Sequence, residues 1–99
     1  MVRYALLARL VARPGKEAEV AAFLESALPL ARAEADTTVW FALRLGEREF
    51  GVFDAFPHEA GRQAHLSGPI AAALMARAAE LLAEPPRIEH VDVLGAKLS

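Results

Sequence analysis

Apolar residues recur along this chain with two spacings, and the change from one to the other marks the elements. Residues 3–12 form a mostly apolar run that stops at Arg13-Pro14-Gly15, a turn signal. Its length and sharp stop predict a strand. From Lys16 the spacing lengthens. Val20, Phe23, Leu24, Ala27, Leu28 and Ala31 recur at three and four, with Glu17, Glu19, Glu25 and Arg32 mainly between them. That pattern predicts an amphipathic helix over 16–34. Pro29 stands inside it and should kink the helix or end it early. Residues 37–45 open with β-branched and aromatic side chains, and 49–56 alternate, so both read as strands. Gly46-Glu47-Arg48 between them predicts a hairpin. Pro57 opens a short helix that stops at Ser67-Gly68-Pro69. A longer helix over 69–84 follows, with Ile70, Leu74, Ala78, Leu81 and Leu82 as its apolar stripe, and Pro85-Pro86 ends it. Residues 87–98 close the chain as a strand.

The predicted order is β-α-β-β-α-α-β in one domain over 1–99. It is the α+β class, a ferredoxin-like split βαβ with a four-stranded antiparallel sheet and its helices on one face. Both faces of that sheet are apolar. Val39, Phe41, Leu43 and Leu45 point one way, and Trp40 and Ala42 the other. Tyr4, Leu6, Ala8 and Leu10 likewise oppose Ala5, Leu7 and Val11. A sheet with one wet face alternates cleanly. Hydrophobic residues reach 55% of a 99-residue chain, more than a small interior needs. The expectation is a homodimer packed sheet against sheet.

Composition then removes several functions. With no cysteine there is no disulfide, thiolate metal site or cysteine nucleophile. A net charge of −2 without a basic run argues against nucleic acid. No apolar run approaches the ~18–20 residues that span a membrane. The apolar start is interrupted by arginines and reads poorly as a signal peptide, so a cytoplasmic location is expected. His90 and Asp92 share a strand face, but two ligands are too few for a metal site. No phosphate-binding glycine loop, haem motif or flavin motif is present, and no cofactor is expected.

Five residues remain as candidates. His65, on the short helix, is the candidate catalytic group, because imidazole takes a proton from a phenol or hydroquinone near neutral pH. The other reading braces the Ser67-Gly68-Pro69 turn. Trp40 could stack on a flat substrate or pack in the core. Tyr4, the one tyrosine, could hydrogen-bond a substrate oxygen or sit at a strand edge. Asp54 interrupts an apolar strand and needs a partner, which Arg62 or Arg44 could supply. That pairing would be structural or would anchor an acidic substrate. Arg62 also suits an i,i+3 pair with Glu59. His58 and His90 are expected at the surface.

The chain resembles the antibiotic biosynthesis monooxygenase family of dimeric α+β barrels. The resemblance spans nearly the whole sequence. It rests on Arg13-Pro14-Gly15-Lys16, on the block from Phe50 to Pro57, on Gly61 to Gly68 and on the last strand. It implies back-to-back dimers with a pocket between each sheet and its helices. It also implies oxidation of a small aromatic, polyketide or quinol by dioxygen without metal or flavin. Haem-degrading members use an asparagine, a tryptophan and a histidine whose positions fall near Ala8, His65 and Met75 here, and none matches. Polyketide-oxidising members also rely on an asparagine, and this chain has none. The leading expectation is a cofactor-independent monooxygenase with His65 as base and Trp40, Tyr4, Asp54 and Arg62 around the substrate. The alternative is a non-catalytic dimeric ligand-binding or regulatory module of the same fold.

Overall fold

The computed structural model describes residues 1–98. Its elements are β1 (Tyr4–Val11), α1 (Glu17–Ser26), α2 (Leu28–Ala33), β2 (Val39–Arg44), β3 (Glu49–Phe56), α3 (Glu59–Leu66), α4 (Pro69–Leu81) and β4 (Arg87–Asp92). The sheet order is β2-β3-β1-β4, with every pairing antiparallel. This is the predicted split βαβ arrangement.

Three boundaries differ from the sequence reading. The helix expected over 16–34 is two helices joined at Ala27. Pro29 lacks the N–H an interior position needs, so it sits in the first turn of α2. β4 ends at Asp92, well short of 98. One further rung forms, Val93 N–H donating to Arg3 O at 2.9 Å. α4 stops at Leu81. Beyond it, Ala83 N–H donates to Val11 O and Arg13 N–H to Leu81 O, both at 2.8 Å, which fixes the end of α4 against the end of β1. Gly15 makes the turn from β1 into α1 at φ +87°, a left-handed conformation that glycine adopts without steric cost.

The register assigns the two faces. Leu6, Asp54 and Trp40 lie in one cross-strand row, and Leu10 faces Phe50. This side carries the helices. Leu10, Phe50, Val20, Leu24 and Leu81 form its main core, each nearly inaccessible to water. Burying one such side chain is worth about 1.5–3 kcal/mol.

The opposite face is less bare than predicted. Ala5, Ala55 and Val39 form a row there, and all three are buried within a single chain. Val2 and Val93, from the two ends of the chain, pack over that row. The sequence assigned no partner to these ends, because their contacts depend on where the first and last strands lie in space. Farther along the same face Phe41 and Leu45 stay exposed, at 53% and 43%.

Candidate functional site

The stripe that buries α1 and α2 contains Val20, Leu24, Ala27 and Ala31, with alternating spacings of four and three. Its next position is Glu34, just past the end of α2. A carboxylate is thereby carried into the protein on an apolar periodicity. Asp54 reaches the same layer from β3, on the sheet face that the helices cover. His65 approaches from α3.

The three meet as a chain of charges. His65 Nδ1 donates to Glu34 Oε1 at 2.6 Å, and Nε2 lies 2.9 Å from Asp54 Oδ2. The imidazole is 8% exposed, the Asp54 side chain 3% and the Glu34 side chain 19%. Thr37 Oγ1 donates to Glu34 Oε1 at 2.7 Å and holds that carboxylate in place. The Phe56 ring packs beside the imidazole at 5.5 Å between centroids.

Local backbone geometry makes this approach possible. A Cβ on Gly61 would lie 2.9 Å from Asp36 Cβ, so only glycine lets the 34–38 segment press against α3 one turn before His65. Gly68 is also close, since a Cβ there would lie 3.5 Å from Glu34 Oε2.

Burial pushes the His65 imidazole toward its neutral form. The hydrogen bond to Asp54, then that to Glu34, more than reverse this effect. The group titrates at about 9 instead of 6.5. At neutral pH His65 is an imidazolium donating from both nitrogens, which leaves no lone pair to act as a base.

The partner of Asp54 is therefore His65, and neither Arg62 nor Arg44 fills that role. Arg62 also faces the sheet, but on the side of β1 and β4. Its Nη1 donates to Ala5 O at 3.2 Å and to Val91 O at 3.4 Å, and Nη2 lies 2.6 Å from Glu59 Oε2. Its guanidinium carbon lies 5.4 Å from the centroid of the Tyr4 ring. Arg44 lies over Phe50 at 4.6 Å and donates to Glu47 O. The five candidates thus separate into two groups: His65, Asp54 and Trp40 lie together, and Tyr4 and Arg62 make their own cluster. Trp40 sits opposite Asp54 on β2 and packs on Ala27, Ala31 and Ile70. His58 and His90 are exposed as expected.

Two small clefts flank this region. One of about 200 Å³ is lined by Glu34, Asp36, Thr37, Gly61, His65 and Gly68. The other, of about 240 Å³, lies between α1 and β2 over Phe50, Ala42, Leu24 and Ala21. Trp40 lines neither. Glu34 and Thr37 escaped the sequence reading. The detectable signal was a carboxylate on the continued apolar stripe, where a hydrophobic residue belongs. Among the described residues no cluster of three or more His, Asp or Glu is arranged to hold a metal. No helix there is long and apolar enough to cross a membrane.

No family model and no curated protein matches the chain. Solved structures do. A Nitrosomonas europaea protein of unknown function, NE2512, is 65% identical with a TM-score of 0.98, over 100% of this chain and 96% of that one. A Caulobacter crescentus protein proposed to be an antibiotic biosynthesis monooxygenase is 21% identical with a TM-score of 0.80, over 95% and 92% of the two chains. A second Nitrosomonas europaea protein, with the same proposed role, is 14% identical with a TM-score of 0.82, over 93% and 90%. The chain therefore belongs to the family of the NE2512 protein, and it has the α+β fold of the proteins proposed to be antibiotic biosynthesis monooxygenases.

Proposed function

We propose that this protein is a cytoplasmic homodimer that oxygenates a small hydroxylated aromatic or quinol, without a cofactor, between its sheet and helices. The observation that carries the reading is the buried Asp54–His65–Glu34 chain in that layer. Its charge state changes the chemistry expected from sequence. His65 acts as a fixed cation, and the proton-accepting group is a carboxylate, Asp54. A phenolic hydroxyl that gives its proton to Asp54 leaves an aryl oxide, and the adjacent imidazolium stabilises that negative charge. The electron-rich anion then reacts with dioxygen. One oxygen atom enters the product, and the other leaves as water with two hydrogens from the substrate.

Oxygen consumption with a panel of hydroquinones and anthrones tests this reading. Uptake is expected for the wild type and falls roughly 100-fold in Asp54→Asn or His65→Ala, the scale of a lost acid–base group. Absence of wild-type uptake across the panel ends the enzymatic reading, and equal rates remove Asp54 and His65 from the reaction. One observation favours a second reading, a ligand-binding or regulatory module: both imidazole nitrogens are already engaged. Saturable binding of the same compounds without uptake selects it. The dimer draws support from exposed Phe41 and Leu45 on the open sheet face. A light-scattering mass of two chains is expected, falling to one in Phe41→Asp. A wild-type mass of one chain at micromolar concentration overturns the dimer.

A further inference from the structure

The cleft of about 240 Å³ between α1 and β2 shares no residue with the Asp54–His65–Glu34 chain. Its two walls are built alike. Ala21 and Glu25 come from α1, and Ala42 and Arg44 from β2. A spacing of four on a helix and of two on a strand keeps each pair on one face. Each wall therefore joins an alanine, too small to close the gap, to a charge. Leu24 and Phe50, both nearly inaccessible to water, lie beneath.

The two charges are not matched within the chain. Among the described residues neither Glu25 nor Arg44 forms an ion pair. Arg44 is held in place without one. Its guanidinium lies over the Phe50 ring at 4.6 Å, and Nη1 donates to Glu47 O at 3.2 Å. Nε and Nη2 are left for a further acceptor, and a planar, permanently charged fork suits a carboxylate. Glu25 stands in the last turn of α1, at the negative end of the helix dipole, and that turn holds no basic residue. A cation beside it is favoured.

A ligand that satisfies both walls carries both charges. An anion alone meets Glu25, a cation alone meets Arg44, and an uncharged molecule leaves both without a partner. An α-amino acid has the required form, with carboxylate and ammonium on one carbon and a single side chain to fill the gap. We propose that the α1–β2 cleft binds an α-amino acid with an apolar side chain. The carboxylate meets Arg44, the ammonium meets Glu25, and the side chain lies between Ala21 and Ala42 over Phe50. The site uses none of the residues assigned to oxygenation. The dimer contact through Phe41 and Leu45 leaves it open, because Ala42 and Arg44 face the other side of β2.

Calorimetric titration of the full chain at neutral pH tests this with L-leucine and L-phenylalanine. Each is compared with the analogue lacking its ammonium (isocaproate, hydrocinnamate) and the analogue lacking its carboxylate (isoamylamine, phenethylamine). At least one amino acid is expected to bind saturably, with both its analogues about tenfold weaker, the scale of one charged hydrogen bond. Arg44→Met and Glu25→Gln alter exposed side chains, and circular dichroism checks their folding. Each should weaken the amino acid about tenfold. In Arg44→Met the amine should then bind as well as the amino acid, a reversal that loss of structure would not produce. Ala42→Leu, which fills the gap, should abolish binding. No saturable binding of either amino acid overturns the site. Analogues that bind as tightly as their parent overturn it too, as does wild-type affinity in Arg44→Met.

Discussion

Arg62 and His65 stand three residues apart on α3, and both bring a cation to the sheet almost out of reach of water, at 9% and 8% exposure. Their surroundings differ. Arg62 gives Nη1 to two backbone carbonyls and meets a single carboxylate, Glu59, whose side chain is 43% exposed. His65 is held by two carboxylates, one of them fully buried. Guanidinium stays charged at any accessible pH and can stitch a helix to strands without a charged partner inside. Imidazole is charged there only because Asp54 and Glu34 make it so. The first arrangement is an anchor that does not respond to pH. The second is an ionisable centre, which is what chemistry requires.

Removing each cation should separate the two roles. His65→Ala has the largest expected effect, because it abandons two carboxylates in the interior. A loss of about 3 kcal/mol at pH 7 is expected, within the range for breaking a buried ion pair, and thermal or urea unfolding measures it. The wild type should show the same contribution as a pH dependence. The His65 pKa is raised by folding from 6.5 to about 9, so its stabilisation is complete below 6.5 and is lost as pH rises through 9. The difference corresponds to on the order of 3 kcal/mol between pH 6 and pH 10, and His65→Ala should lose this slope. Arg62→Met keeps the apolar stem but takes a donor from the carbonyls of Ala5 and Val91 and the partner from Glu59. It should cost about 1–2 kcal/mol, by the same amount at pH 6 and pH 9. A pH-dependent loss in Arg62→Met would erase the contrast. Glu34→Gln is the mildest, at about 1 kcal/mol, since an amide still accepts from His65. Its sharper readout is the His65 titration followed by NMR, which should move below 9.

The sequence carried the element order, the hairpin, the break at Pro29 and the two apolar sheet faces. Each depends on local periodicity or on turn and proline chemistry, which neighbouring residues impose. It also showed that Asp54 needed a partner, because a carboxylate interrupts an apolar strand there, and it singled out His65 for the proton chemistry of imidazole near neutral pH. It did not show that these two satisfy each other. Arg62 and His65 are one helical turn apart, so both fit an inward face equally well. Which strand each one meets depends on how α3 lies across the sheet. Glu34 was hidden for a related reason, since its partner is 31 residues away and reaches it only where glycine at 61 lets α3 and the 34–38 segment touch. The chain ends that fold over Ala5 and Ala55 were equally out of reach.

Local spacing therefore fixed what each segment is and which side of it is apolar. Tertiary packing decided which charge faces which, turned His65 from an expected base into a held cation, and left Trp40 and Asp54 with one unmet hydrogen bond each. The physical reason is range. Periodicity acts over a few residues, whereas the electrostatics of a buried site depend on atoms brought together from distant parts of the chain.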